Sequence, residues 1–166
     1  MQVPTRKKET YQKPKPDPFI TEAKYQKLKK SLDWLKNVKR PRESREVQRL
    51  AAMGDFSENA GYQLAKSRLR GLNYRILEIE EQLKYAKIIP ASSDKNTVSI
   101  GSLVSVSTNG LSRAYRLLGA AETDPAAGII SYSSPLGAAL LNRHLGENVE
   151  LKLNGRSIVY KIIKID

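Results

Sequence analysis

Two rhythms divide the chain. In the first half, apolar residues recur every three or four positions, the period of a helix that buries one stripe. Tyr25, Leu28, Leu32 and Leu35 follow a 3-4-3 spacing, and Thr21 just before them is a ready N-cap. Pro41 interrupts the run and the phase resumes at Val47 and Leu50, which predicts a kink or a helix restart near the proline. Trp34 lies off the stripe and is expected to pack against a neighbouring element. The second run is cleaner: Tyr62, Ala65, Leu69, Leu72, Ile76, Ile79, Leu83 and Ala86 alternate spacings of 3 and 4, a coiled-coil seam. Gly54 and Asp55 punctuate the two runs and Pro90 closes the second. Segments 21–53 and 56–88 have equal length and can fold back as an antiparallel hairpin. At 1.5 Å per residue each arm reaches up to roughly 50 Å. With no third helix, such a hairpin is a projecting rod rather than a globule.

The rhythm changes after "IPASSDKNTVSIGS". Alternation predicts strands at Leu103–Ser107, Arg113–Leu118, Ile129–Tyr132, Val149–Leu153 and Ile158–Ile165. Asn109-Gly110 and Asn154-Gly155 lie between such runs and signal tight hairpin turns. One helix fits "SPLGAALLNRHLG", with Ser134 as N-cap, Pro135 in the first turn and Gly146 past the end. The expected fold class is α+β: an antiparallel coiled-coil hairpin over residues 19–90, then a small antiparallel sheet domain with one helix over residues 91–166. Residues 1–18 carry four prolines and few apolar side chains, and read as a disordered basic tail, either simply solvated or in contact with nucleic acid.

Charge adds a partner class. The 166 residues hold 29 Lys+Arg against 17 Asp+Glu, a formal +12, and the pI is about 9.9. The excess is concentrated in residues 1–90, with 21 cationic against 11 anionic side chains. A polyanionic partner is the natural complement. There is no cysteine, so thiolate chemistry and disulfides are excluded, and a cytoplasmic location is compatible. No apolar run approaches membrane-spanning length, and the basic N-terminus lacks the apolar core of a secretory signal.

Candidate chemistry is sparse. His144, the one histidine, falls in the last turn of the predicted helix, where a cation favours the dipole, or on the surface. No Ser-His-Asp set, His/Cys metal cluster or phosphate-binding glycine loop is present, and Arg113 and Arg116 are expected to face solvent. Two carboxylates stand out at the joint of the arm, in Asp55-Phe56-Ser57-Glu58. A D-x-x-E at a helix start reads first as a capping box. The same spacing also lets both carboxylates face one cation, and Mg²⁺ is typically held by one or two protein carboxylates with waters and phosphates completing the octahedron. Two carboxylates alone hold it weakly, so the second reading requires another molecule to supply ligands. Farther along the arm, Lys66 and Arg70 share one helix face and Arg68 and Arg75 another. These cations are either ordinary solvated faces or a track for phosphates.

"GDFSENAGYQLAKSRLR" (Gly54–Arg70) resembles the tip motif of the bacterial Gre transcript-cleavage factors, the GreA/GreB transcription elongation family. "GIISYSSPLGAALL" (Gly128–Leu141) is similar to the family's C-terminal Ser-Pro segment and the helix after it, and "YQKLKKSLDWLKNVKRPR" (Tyr25–Arg42) to its first helix. The likeness covers about residues 20–166, and the basic arm looks closer to the GreB branch than to the more acidic GreA branch. It implies an FKBP-like C-terminal domain and a monomer without enzymatic activity of its own. It also implies docking on bacterial RNA polymerase at the mouth of the secondary channel through Ser133, Ser134 and Pro135. The coiled coil would pass down that channel toward the 3′ end of the nascent RNA. Asp55 and Glu58 are then the catalytic, metal-side residues, holding Mg²⁺ jointly with the polymerase to stimulate cleavage of backtracked RNA. Asn59 and Tyr62 shape the tip, and Lys66, Arg68, Arg70 and Arg75 face the RNA. Two positions depart from the family pattern: Gly61 stands where many members carry an acid, and Ser133 where some have Asp. Gly61 keeps open a channel-binding regulator that does not stimulate cleavage. The basic arm alone would also suit a coiled-coil nucleic-acid binder unrelated to polymerase, which leaves the tip acids and the Ser-Pro segment without a role.

Overall fold

The computed structural model describes residues 17–53, 60–90, 94–153 and 156–166. Strand β1 (Phe19–Ile20) leads into helix α1 (Glu22–Trp34), a π-helical turn (Leu35–Lys39) and helix α2 (Arg40–Ala51). Helix α3 (Ala60–Tyr85) returns alongside them, and strand β2 (Lys87–Ile88) closes the arm. Thr21 caps α1 as read from the sequence, its hydroxyl accepting from Lys24 N at 3.2 Å. Pro41 marks a helix restart, as the interrupted phase predicts. It sits in the first turn of α2, directly after the π turn, where the Arg40 N–H bonds the Leu35 carbonyl. Widening the helix by one residue at that point removes the need for the N–H that proline lacks.

The seam is buried as its spacing requires. Leu28 and Leu35 meet Leu72, Ile76 and Ile79, with Tyr25, Leu32, Leu83 and Ala86 packed around them. Toward the tip the buried seam dwindles: α2 has no fully buried residue, and across from it only Ala65 is fully enclosed. Lys36 and Glu80 pair across the two sides of the arm. Trp34 differs from expectation. It is 51% exposed, and Lys39 Nζ lies 5.7 Å from its ring centroid.

The seam segment ends earlier than its length suggested. After Tyr85 the chain becomes extended, and β2 pairs in parallel with β1, Phe19 opposite Lys87 and Ile20 opposite Ile88. Lys87 N donates to the Pro18 carbonyl at 2.6 Å. Asp17 and Pro18, read as part of the tail, are therefore half-buried and hydrogen-bonded at the base of the arm. Residues 1–16 lie outside the described residues.

The C-terminal half is a five-stranded sheet ordered β5-β4-β3-β7-β6. Its strands are β3 (Leu103–Thr108), β4 (Leu111–Leu118), β5 (Ile129–Ser131), β6 (Asn148–Leu153) and β7 (Arg156–Ile165), close to the alternating runs. Asn109 (φ 49°) and Gly110 (φ 78°) form the β3–β4 turn with both residues left-handed, as a two-residue hairpin loop demands. Asn154-Gly155 lies outside the described residues. Three neighbouring pairs are antiparallel, and the edge pair β4–β5 is parallel, so the sheet is mixed. Helix α4 (Pro135–Leu140) covers one face, and the core is Val98, Val104, Val106, Leu117, Leu140, Val149, Ile162 and Ile165. The helix stops six residues before Gly146, because the chain turns at Leu141 and Asn142 enters the left-handed region (φ 62°). His144 consequently lies beyond the helix, not in its last turn. It forms an isolated bridge with Thr97, whose hydroxyl is 3.3 Å from its Nδ1. The architecture is a helical arm joined to a compact α+β head.

Candidate functional site

The far end of the arm is where the sequence placed its acids. Helix α2 closes with Ala52 N donating to Gln48 O at 3.0 Å and Met53 N to Leu50 O at 3.3 Å, and Met53 is left 65% exposed. Asp55, Glu58 and Asn59 lie outside the described residues, in the connection between Met53 and Ala60. Tyr62 is half-buried in the first turn of α3, with Lys66 Nζ 5.8 Å from its ring centroid. The exposed Gly61 occupies that same turn. Among the described residues, no group of three or more His, Cys, Asp or Glu gathers to hold a metal. Asp55 and Glu58 offer only carboxylate oxygens, the donor type that Mg²⁺ takes, in a number that leaves most of an octahedron to other ligands.

Behind the tip, two basic faces run along the arm. Arg68 lines a groove of about 500 Å³ with Arg42, Glu43, Arg45, Glu46 and Arg49. It also lines an adjoining groove of about 490 Å³ with Lys39, Gly71 and Arg75. The structure thus brings Arg68 and Arg75 onto one face. Two of these cations pair with acids: Arg49 binds Glu46 through Nε (2.9 Å) and Nη2 (2.8 Å), and Arg75 Nη1 lies 3.3 Å from Glu78. The Arg49 hydrogen bonds hold the Glu46 carboxyl below its usual range, and the charges of Arg49 and Arg68 add to that. Lys66 and Arg70, both exposed, share the α3 face that carries Leu69 and Asn73, which line a third groove with Arg40, Pro41 and Ser44. The sequence reading overlooked Arg42, Arg45 and Arg49, whose spacing of 3 and 4 on α2 marks a single helix face.

The other candidate lies on the head. After β5 the chain turns through Tyr132, Ser133 and Ser134 into α4. Buried Ser131 anchors this loop: its Oγ is 2.7 Å from Ser133 Oγ and accepts from Ser133 N at 3.1 Å. Ser134 Oγ donates to the Ser131 carbonyl at 2.6 Å and accepts from Gly137 N at 3.1 Å. That hydroxyl is used up in shaping the loop. Ser133 and Pro135 are the exposed members of the set, and they are what another molecule would meet.

The helical arm and the sheet head each match a family description, "Transcription elongation factor, N-terminal" over residues 18–88 and "Transcription elongation factor, GreA/GreB, C-term" over residues 93–166. Transcription elongation factor GreA of Nautilia profundicola is 37% identical over 150 residues, covering 88% of this chain and 92% of that protein. GreA of Bacillus subtilis is 34% identical over 150 residues, covering 89% and 95%. Among solved structures, GreA factor homolog 1 (Gfh1) of Thermus thermophilus is 23% identical, covering 89% of this chain and 97% of that one, with a TM-score of 0.41. The chain belongs to the GreA/GreB family of transcription elongation factors. Among the described residues no helix is long and apolar enough to cross a membrane.

Proposed function

We propose that this chain docks on bacterial RNA polymerase through its head and reaches down the secondary channel with its arm, stimulating cleavage of the 3′ end of backtracked RNA. The observation that carries this reading is the arrangement along the rod. An exposed, internally braced Ser133–Pro135 loop belongs to the head, and the Asp55–Glu58 connection joins the two helices at the opposite end of the arm. Acids on a slender basic rod make sense where the reacting phosphates lie deep inside another molecule. In this reading Ser133 and Pro135 meet the polymerase and Ser134 holds the loop in shape. Lys66, Arg68, Arg70 and Arg75, with Arg42 and Arg45, face extruded RNA, and Asn59 and Tyr62 shape the tip. Asp55 and Glu58 would hold Mg²⁺ together with the polymerase's own ligands, and that cation supplies stabilisation of the attacking and leaving oxygens in phosphodiester hydrolysis. The carboxylates of this chain complete a site that neither molecule fills alone.

The test uses stalled elongation complexes carrying 5′-labelled RNA at limiting Mg²⁺. The wild-type chain should shorten the RNA and allow it to be re-extended. Asp55→Asn and Glu58→Gln should bind polymerase normally and lose most of that stimulation. Near-normal cleavage by both variants would refute the assigned role. Altered elongation without shortening by the wild type would instead support a regulator that does not stimulate cleavage. The free protein should leave naked RNA intact.

A further inference from the structure

Helix α1 begins with half of a capping box. Thr21 Oγ1 accepts from Lys24 N, the third helical position, but that position is lysine, so no local acid reaches back to the Thr21 N–H. The missing half comes from the head. Glu122, at the end of a 3₁₀ turn (Ala120–Glu122) after β4, accepts from Thr21 N at 2.7 Å through Oε2 and from Thr21 Oγ1 at 2.6 Å through Oε1. An anion at a helix N-terminus also complements the dipole. The first helix of the arm is thus capped from the other half of the molecule.

A second tie lies beside it. The Asp17 carboxylate accepts from Ala120 N at 2.7 Å, from Phe19 N at 3.0 Å and from the Tyr132 hydroxyl at 3.3 Å. Burial, with the Asp17 charge and that hydrogen bond added, pushes the Tyr132 phenol up. The Phe19 and Tyr132 rings meet edge to face at 5.6 Å. Ala121 packs into the hydrophobic seam of the arm. Gly119 leaves no room for a side chain there, since a Cβ would stand 1.9 Å from the Phe19 carbonyl oxygen. Tyr132 adjoins Ser133, so the strap reaches the docking loop itself.

We infer that Asp17 and Glu122 are positioning residues for the tip: they fasten the base of the arm to the head and so fix the direction in which the arm projects. This rests on the function proposed above for its consequence, though not for its geometry. The lever is long. Helix α3 has 26 residues and spans about 39 Å, so a tilt of about 10° at the base moves the tip by about 7 Å. Misplacement by about 1 Å can already cost on the order of a hundredfold in a positioned reaction.

The experiment uses the full chain, which has no cysteine of its own. Spin labels at Met53→Cys, exposed at the end of the arm, and Lys152→Cys, exposed on the head, report the tip-to-head distance distribution. Asp17→Asn with Glu122→Gln leaves the shape of the junction but removes acceptors, because each amide offers donors where the structure needs oxygens. That pair should broaden the distribution by about twofold or more. It should also lower the maximal rate of stimulated cleavage at least about threefold, while the half-saturating concentration, set by the head, moves less than about twofold. A rescue separates positioning from helix stability. Lys24→Glu in a Glu122→Ala background rebuilds the capping box locally; it should restore helix stability by circular dichroism but neither the narrow distribution nor the rate. A distribution as narrow as wild type in the Asp17→Asn, Glu122→Gln chain would overturn the inference, as would full rescue of rate and width by Lys24→Glu. If the wild-type chain stimulates no cleavage, the functional reading fails, and the distribution widths still decide the strap.

Discussion

The same methyl group added at two glycines should move stability in opposite directions. Gly71 lies on the exposed side of α3, in mid-helix, and a Cβ added there would have nothing within 4 Å. Alanine there removes the backbone-entropy cost of glycine and should stabilise the arm by about 0.5–1 kcal/mol. Gly137 sits in α4 under the Ser131–Pro135 loop, where a Cβ would stand 2.0 Å from the Ser131 carbonyl oxygen, 2.9 Å from its carbon and 3.0 Å from Tyr132 Cα. All three are backbone atoms, so no side chain can swing away. The Ser131 carbonyl is also the acceptor for Ser134 Oγ at 2.6 Å and Ser134 N at 3.0 Å. Overpacking costs about 1–3 kcal/mol, and each of two strained hydrogen bonds about 1 kcal/mol more. Gly137→Ala should therefore destabilise by about 3–5 kcal/mol. Urea unfolding followed by circular dichroism reads both variants. Because the loop carries Ser133 and Pro135, Gly137→Ala should also weaken polymerase binding by about tenfold or more, while Gly71→Ala binds as wild type. Equal urea midpoints for the two variants, or normal docking by a destabilised Gly137→Ala, would show that the close approach under the loop does not govern its shape.

Other expectations address the arm. Lys66→Glu with Arg70→Glu should reduce cleavage of deeply backtracked complexes more than shallow ones, because longer extruded RNA presents more phosphates, and the defect should shrink as salt rises. Complexes walked to defined depths measure this; an equal loss at every depth would point to general docking damage. Ile79→Ala, at a seam position only 1% exposed, should destabilise the arm by about 2–5 kcal/mol, and a loss below about 1 kcal/mol in urea unfolding would contradict the packing described.

The periodic elements were legible because local chemistry determines them. Thr21 caps α1, the 3-4 seam is the buried stripe, Asn109-Gly110 is the left-handed hairpin turn, and Ser134-Pro135 opens α4. What escaped depends on partners distant in sequence. Asp17 and Pro18 look like the rest of a proline-rich tail until Ala120, Tyr132 and Lys87 are brought to them. The β1–β2 and β4–β5 pairs are too short for alternation to declare their parallel partners. The π turn escaped because a proline in a helical pattern ordinarily signals a break, and a one-residue widening leaves the flanking phases nearly intact. At the site, the spacing of Asp55 and Glu58 was visible while its meaning was not, since capping and metal binding ask for the same residues. The absence of an acid at Lys24, after a threonine cap, was the one local hint that a partner for Thr21 must come from elsewhere.

That borrowed partner has a consequence for how the molecule is made. Thr21 and Glu122 are 101 residues apart, whereas α1, α2 and α3 all lie between residues 22 and 85. Contacts close in sequence form early and cheaply, and distant ones wait for the intervening chain. A ribosome therefore delivers every residue of the hairpin well before it delivers the head. The two long helices can pair on the emerging chain with the Thr21 N–H still bonded to water. Only when the turn after β4 has left the exit tunnel can Glu122 displace that water, and only then does the arm acquire a bearing. A chain interrupted before that residue would hold a finished hairpin with nothing to aim it.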